Sequence, residues 1–361
     1  MKTVRKKLQL DCRPVFPKPY PLEQFLFFDI ETTGFSPDVS SVYLIGCLSF
    51  DGKDWEFIQW FADDYRSEQE LLKSFGEYMK QYACLVHYNG TGFDLPYIQK
   101  KWIKYKLAYT FDTIDSLDIY KRIYPYRKLL PLENLKLKTV ETFLGIRRND
   151  PFSGGDLIPL YGEYLKLKYS SRPEAEELFS PLSLHNEEDV TGMPAVCGLE
   201  SYAGILEGAA DPADAWKEQE RFYIRLTCAA PFPVPLQIKS SHFQLAMAYR
   251  EAVLTVPLVS DTLNFYFPNY KDYYYLPAED TAIHKSVGEY VEKSHREQAK
   301  ASNCYIKKAG LFLPQYGTFQ TPELKRGRKD KLSYFPWEDS LLSDSSFLAG
   351  YARHLLEHIK E

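Results

Sequence analysis

The chain contains no Cys-x-x-Cys pair; its six cysteines, Cys12, Cys47, Cys84, Cys197, Cys228 and Cys304, stand singly. That spacing excludes a zinc ribbon and offers no disulfide framework, so a reducing, cytoplasmic setting is expected. No apolar run is long enough to span a bilayer. The basic start MKTVRKK leads into LQLDCRPVFPKP without the apolar stretch of a signal peptide, so no membrane partner is expected. Positive charge is not in excess either: 44 Lys and Arg stand against 49 Asp and Glu, a net −5. That balance excludes a general nucleic-acid coat protein, whose affinity for phosphates comes from clustered Lys and Arg. No internal repeat is found.

What the chain has is length and aromatics. Its 361 residues favour two domains over one. The 28 Tyr and 23 Phe, many beside Lys or Arg, can stack bases or pack a core. Positive charge is unevenly spread: residues 95–148 carry twelve Lys or Arg against five Asp or Glu, among them Lys100, Lys101, Lys104, Lys121, Arg122, Lys136 and Lys138. This stretch reads as a basic wall or as a solvated helix face.

After a proline-rich entry, QFLFFDIETTG reads as a buried strand ended by Thr-Thr-Gly. The runs at 42–50 and 55–62 read as two more strands, joined by a hairpin at Asp51-Gly52. Ser67 and Glu70 form a capping-box pattern before a helix, and ACLVHYN reads as a fourth strand. A helix follows at LPYIQKKWIKYK, then a short strand near 110–115. The order β-β-β-α-β-α predicts an α/β, RNase H-like mixed sheet with flanking helices: three antiparallel strands plus parallel ones. From about 132 helical periodicity dominates, up to Gly208. The text changes at Ala209-Ala210-Asp211-Pro212. The expected organisation is therefore an N-terminal extension over 1–21, the main domain over 22–208 and a smaller α+β accessory region over 211–361. In that region HKSVGEYVEKSHREQAKASN reads as helical.

Asp29 and Glu31 stand two apart on the first strand, so both side chains leave the same face and can share a metal. Asp94 lies where the fourth strand gives way to a helix through Asn89, Gly90 and Gly92. Such a crossover sets a carboxylate at the sheet's edge, where it also caps the helix. Asp189 lies in a predicted helix, and His185 falls one turn earlier on the same face.

Together FFDIETTG, YNGTGFD and HNEEDV resemble, in order, the three motifs of the DEDD superfamily of 3′-to-5′ exonucleases, and more closely the bacterial YprB-type RNase H-like proteins. The text ENLKLKTVETFLGIRRND before the third motif looks similar too. The resemblance covers about residues 22–208 and implies metal-dependent hydrolysis of single-stranded DNA or RNA from a 3′ end. Asp29, Glu31, Asp94 and Asp189 would be the metal ligands, Asp29 bridging both ions.

Elementary electrostatics agrees. Four converging carboxylates repel and raise one another's pKa unless cations neutralise them, and four charges balance two divalent ions. Hard oxygen ligands select Mg2+ or Mn2+, a pair of which, about 4 Å apart, suits in-line displacement at phosphorus. His185 occupies the spacing where relatives carry a tyrosine base, four before the last Asp, and is the expected general base. Asn89 and Phe93 match positions near the substrate end, an amide for sugar or phosphate and a ring for the terminal base. Two other readings use the same residues: a non-cleaving nucleic-acid-binding or partner-docking protein, and an endonuclease.

Overall fold

The computed structural model describes every residue except Arg13, Val15, Ala209, Lys360 and Glu361. The described chain divides into two compact units, Met1–Ala203 and Gly204–Glu361. Ala209, at the expected boundary, lies outside the described residues.

Six strands form the sheet of the first unit, and their order follows from which of them tolerate burial on both faces. They are β1 (Lys2–Leu8), β2 (Phe25–Thr32), β3 (Val42–Phe50), β4 (Trp55–Phe61), β5 (Cys84–His87) and β6 (Asp115–Asp118), arranged β1-β4-β3-β2-β5-β6. The continuous apolar runs take the middle: Phe25 to Phe28 and Val42 to Leu48, Gly46 included, are buried. Both faces of such strands must be covered. β3 pairs antiparallel with β2 and β4, whereas β2–β5 and β5–β6 are parallel. The domain is thus α/β with the expected RNase H-like mixed sheet.

Four details differ from expectation. Residues 2–8 are an antiparallel edge strand on β4, Lys2 opposite Phe61 and Leu8 opposite Trp55. Their four cations, Lys2, Arg5, Lys6 and Lys7, mask the strand signal and blunt an exposed sheet edge. The short strand falls at 115–118 rather than 110–115, because its ladder is set by the parallel partner Cys84–His87. The capping box at Ser67 does not form: the Ser67 hydroxyl donates to Asp64 Oδ1 at 2.9 Å. Finally, Lys101 is no part of a basic wall, being buried against Glu68 at 3.0 Å. Arg122 and Lys138 are likewise paired, with Glu200 and Asp150.

Helices cover the sheet. α1 (Glu68–Met79) and α2 (Asp94–Lys104) pack on the face of β2 that bears Phe28, whose ring meets Phe75 at 5.2 Å. After α3 (Ile119–Ile123), α4 (Leu137–Phe143) and α5 (Gly154–Tyr169), the long α6 (Ala175–Val196) crosses the opposite face. A last short helix, α7 (Glu200–Leu206), follows.

The second unit is mostly β. Strands Ala210–Glu218, Arg221–Cys228, Leu236–Lys239, Gln244–Ala248 and Glu251–Pro257 form one antiparallel sheet, and two three-stranded sheets follow. A helix over Ser345–Glu357 closes the chain. The segment 284–303, expected as helix, is α-helical only over Lys285–Gly288, with a single 3-10 turn at Lys293–His295. Val287 is 58% and Tyr290 91% exposed, and a short helix without a buried stripe is not stable.

Candidate metal centre at the end of the central strand

β2 sends Asp29 and Glu31 out of the face that α6 covers. Asn186 of α6 donates through Nδ2 to Asp29 Oδ2 at 3.0 Å and to the Asp29 carbonyl at 3.2 Å. The amide cannot turn, because its Oδ1 accepts from Gln59 Nε2 at 3.0 Å. Gln59 Oε1 in turn accepts from the Ser183 hydroxyl at 2.6 Å. All three side chains in this relay are buried and satisfied, which makes them a rigid support for the charged partner.

Asp94 begins α2, which follows β5, the parallel neighbour of β2. The crossover therefore brings Asp94 to the carboxyl end of β2, beside the Ile30 backbone. The preceding turn is made by Asn89 at φ 62°, a left-handed conformation that Asn tolerates. Asp118 at the end of β6 ties this turn down, accepting N–H groups from Asn89 at 2.9 Å and Thr91 at 3.1 Å. His87 has a structural role here. Its Nδ1 accepts the Gly90 N–H at 3.1 Å and its Nε2 meets Ser116 Oγ at 2.7 Å. Burial pushes it down to about 4, so it stays neutral.

Asp189 and His185 come from α6. His185 is 4% exposed and sets Nε2 3.6 Å from Glu31 Oε1 and 3.7 Å from Asp189 Oδ2. The other oxygen of Asp189 is held by Arg148, whose Nε lies 3.4 Å from Glu141 and 3.6 Å from Glu188. The charges of Asp189, Asp94 and Glu31 all bear on Asp29. Burial, then these neighbours, hold Asp29 and Glu31 well above the ordinary carboxylate range. Asp94 is pushed up to about 7, by burial first and then by Asp118 and Asp189. Anions gathered in this way are costly without cations, and the donor set, carboxylate oxygens with one imidazole, fits divalent ions.

Asn89 and Phe93 flank this locus on the α2 side. Phe93 lines a cavity of about 190 Å³ with Phe35, Pro37, Pro96, Tyr97 and Lys100. The Phe35 ring, 89% exposed, meets Phe93 edge-on at 6.2 Å.

Sequence reasoning did not single out Asn186, Gln59, Arg148 or Asp150. Asn186 sits inside the third motif, next to His185, and was the most accessible of them. Arg148 and Asp150 lie in a coil between α4 and α5, where no periodicity marks a side chain as inward.

A family model described as the RNase_H superfamily matches residues 26–198. No curated protein matches the chain. Among solved structures, the family B DNA polymerase of the hyperthermophilic archaeon Pyrobaculum calidifontis is 16% identical, covering 75% of this chain and 39% of its own at a TM-score of 0.37. Exonuclease I of E. coli in complex with a dA16 oligonucleotide is 17% identical, covering 57% of this chain and 55% of its own at 0.27. The chain thus spans less than two thirds of either structure. Among the described residues, no helix is long and apolar enough to cross a membrane.

Proposed function

We propose that the protein is a metal-dependent 3′-to-5′ exonuclease acting on single-stranded DNA or RNA, with Asp29, Glu31, Asp94 and Asp189 holding two Mg2+ or Mn2+ ions. The single observation that supports this reading is that acids from β2, α2 and α6 lie near enough for the charges of Asp189 and Asp94 to bear on both Asp29 and Glu31. Asp29 and Glu31 would hold the ions from one strand, Asp94 from the head of α2, and Asp189 from α6. His185 is the further catalytic residue at the same locus. A bound pair of divalent cations would activate water and steady the charge on the attacking and leaving oxygens.

The remaining residues position substrate. Phe93 and Phe35 offer faces on which a 3′-terminal base stacks, and Lys100 on the cavity's rim suits a phosphate. Asn89 would contact the terminal sugar or phosphate. Placement in the cytoplasm accords with six free cysteines.

The test uses 5′-labelled single strands of DNA and of RNA, with Mn2+ or with chelator, beside an Asp29→Ala variant. A ladder shortening from the 3′ end that needs both metal and Asp29 supports the proposal. Cleavage of circular single strands would make the protein an endonuclease, and tight binding without cleavage would make it a docking protein.

A further inference from the structure

His185 Nε2 makes no hydrogen bond among the described residues, although the ring is buried. At 3.6 Å from Glu31 Oε1 and 3.7 Å from Asp189 Oδ2 it is too far from either for one. The three donor atoms nevertheless lie within 4.8 Å of one another. Donors held at about 2.1 Å from one ion, with angles of roughly 90° to 120° between them, stand about 3.0 to 3.6 Å apart. The two edges of the triangle that meet at His185 Nε2, at 3.6 and 3.7 Å, therefore come close to the edge of a coordination shell, and the third is no longer than 4.8 Å.

Its surroundings prepare each donor. His185 Nδ1 lies 2.7 Å from Asp150 Oδ2, a carboxylate that also meets Lys138 Nζ at 2.8 Å and the Phe152 N–H at 3.1 Å. Asp150 can only accept from Nδ1, so a proton stays on that nitrogen and Nε2 is the one left to face the acids and a metal. A carboxylate behind a histidine in this way is the usual outer support of a metal-binding imidazole. Arg148 meanwhile holds Asp189 Oδ1, leaving Oδ2 for the locus. The spacing of four residues along α6 puts His185 and Asp189 on one helix face, the arrangement by which two side chains on a helix grip one ion.

We propose that His185 binds a metal ion directly through Nε2, together with Glu31 Oε1 and Asp189 Oδ2, so that this position takes a first-row transition ion such as Mn2+, Co2+ or Zn2+ ahead of Mg2+. The inference deepens the nuclease reading and rests on its cation site. It replaces the general-base role expected from the sequence, since a coordinated Nε2 has no lone pair left for a proton. Asp150 becomes a positioning residue for the ligand. An imidazole donor raises affinity along the series from Mn2+ to Co2+ and Zn2+ and adds little for Mg2+, which prefers oxygen and keeps its waters.

The test is metal binding by the full chain, measured without substrate. Calorimetric titrations with Co2+ and with Mg2+ compare the wild type, His185→Gln and Asp150→Asn, while visible absorption follows Co2+ coordination. His185→Gln should weaken Co2+ binding at least tenfold and change the Co2+ spectrum, yet alter Mg2+ affinity less than threefold. Asp150→Asn should weaken Co2+ binding in the same direction by a smaller factor. In the wild type, with histidine nitrogens labelled, Zn2+ should shift the Nε2 resonance of His185 by the amount typical of coordination. That readout holds even if a variant fails to fold. An unmoved Nε2 resonance, or equal Co2+ affinity in wild type and His185→Gln, overturns the proposal and returns His185 to the role of base. Should no nucleic acid be cleaved while Co2+ binding still depends on His185, the nuclease reading fails and the metal site stands.

Discussion

Gly46 of β3 and Asn186 of α6 share a space that admits one of them only without a Cβ on the other side: a methyl group on Gly46 would stand 2.0 Å from Asn186 Oδ1. The same methyl would press Val190 Cγ2 at 3.2 Å. Gly46→Ala should therefore push α6 off the sheet and cost about 1–3 kcal/mol, read from urea denaturation. Activity should fall further than stability explains, because the displaced helix carries His185 and Asp189. A Gly46→Ala protein of wild-type stability would show that the helix does not rest there.

Asn186 can be tested in its own right. It supplies Asp29 with a side-chain donor, and a buried charged acceptor that loses such a partner costs about 1–3 kcal/mol. Asn186→Leu should lower metal affinity and turnover about tenfold or more. Gln59→Leu, one step back in the relay, should do the same more weakly. Equal affinities in wild type and Asn186→Leu would separate this relay from the metal site.

The acids also predict an inverted effect on stability. In chelator, Asp29, Glu31, Asp94 and Asp189 face one another without cations, so removing one charge relieves repulsion and desolvation. Asp29→Asn should raise the melting temperature of the metal-free protein, whereas Mn2+ should raise that of the wild type and hardly move the variant. Scanning calorimetry in both states decides it. A metal-free Asp29→Asn protein that melts below the wild type would contradict the electrostatic account.

His87 gives a pH dependence whose sign can be worked out. Its ordinary value near 6.5 is lowered to about 4 by burial, so between these limits the unfolded chain binds a proton that the folded one refuses. The stability it contributes is complete above about 6.5 and is lost as pH falls toward 4, by up to about 3 kcal/mol. His87→Gln should be less stable than the wild type at pH 7 because it disturbs the bonds to Gly90 and Ser116. The gap between them should close as pH falls, and a gap independent of pH would show that His87 does not titrate as described.

Much of the first unit was legible because its signals are local. β3 runs over Val42–Phe50 as its apolar run predicts, and Asp29 and Glu31 share a face because a strand repeats every two residues. The signal failed where partners decide. β6 has only Asp115–Asp118 to announce it, and β1 is a run of cations that becomes a strand because β4 offers an open edge. The site divided in the same way. Its acids stand in recognisable motifs, but Asp150 and Arg148 acquire meaning only from His185 and Asp189, 35 and 41 residues away. No spacing rule spans a coil of unknown path.

Phe35 offers the sharpest separation of binding from folding. It is 89% exposed, so Phe35→Ala should change stability by no more than about 0.5 kcal/mol. On the proposed reading an exposed ring beside Phe93 would serve as a stacking platform, and each stacked base contributes about 1–3 kcal/mol. The variant should therefore raise KM for single-stranded oligonucleotides roughly five- to a hundredfold while leaving the metal titration unchanged. Phe93→Ala should do the same at some cost in stability, since Phe93 also packs on Tyr97 with ring centroids 5.3 Å apart. If Phe35→Ala leaves KM untouched for DNA and for RNA, the terminal base lies elsewhere, and the cavity between Phe35 and Lys100 has no part in holding the 3′ end.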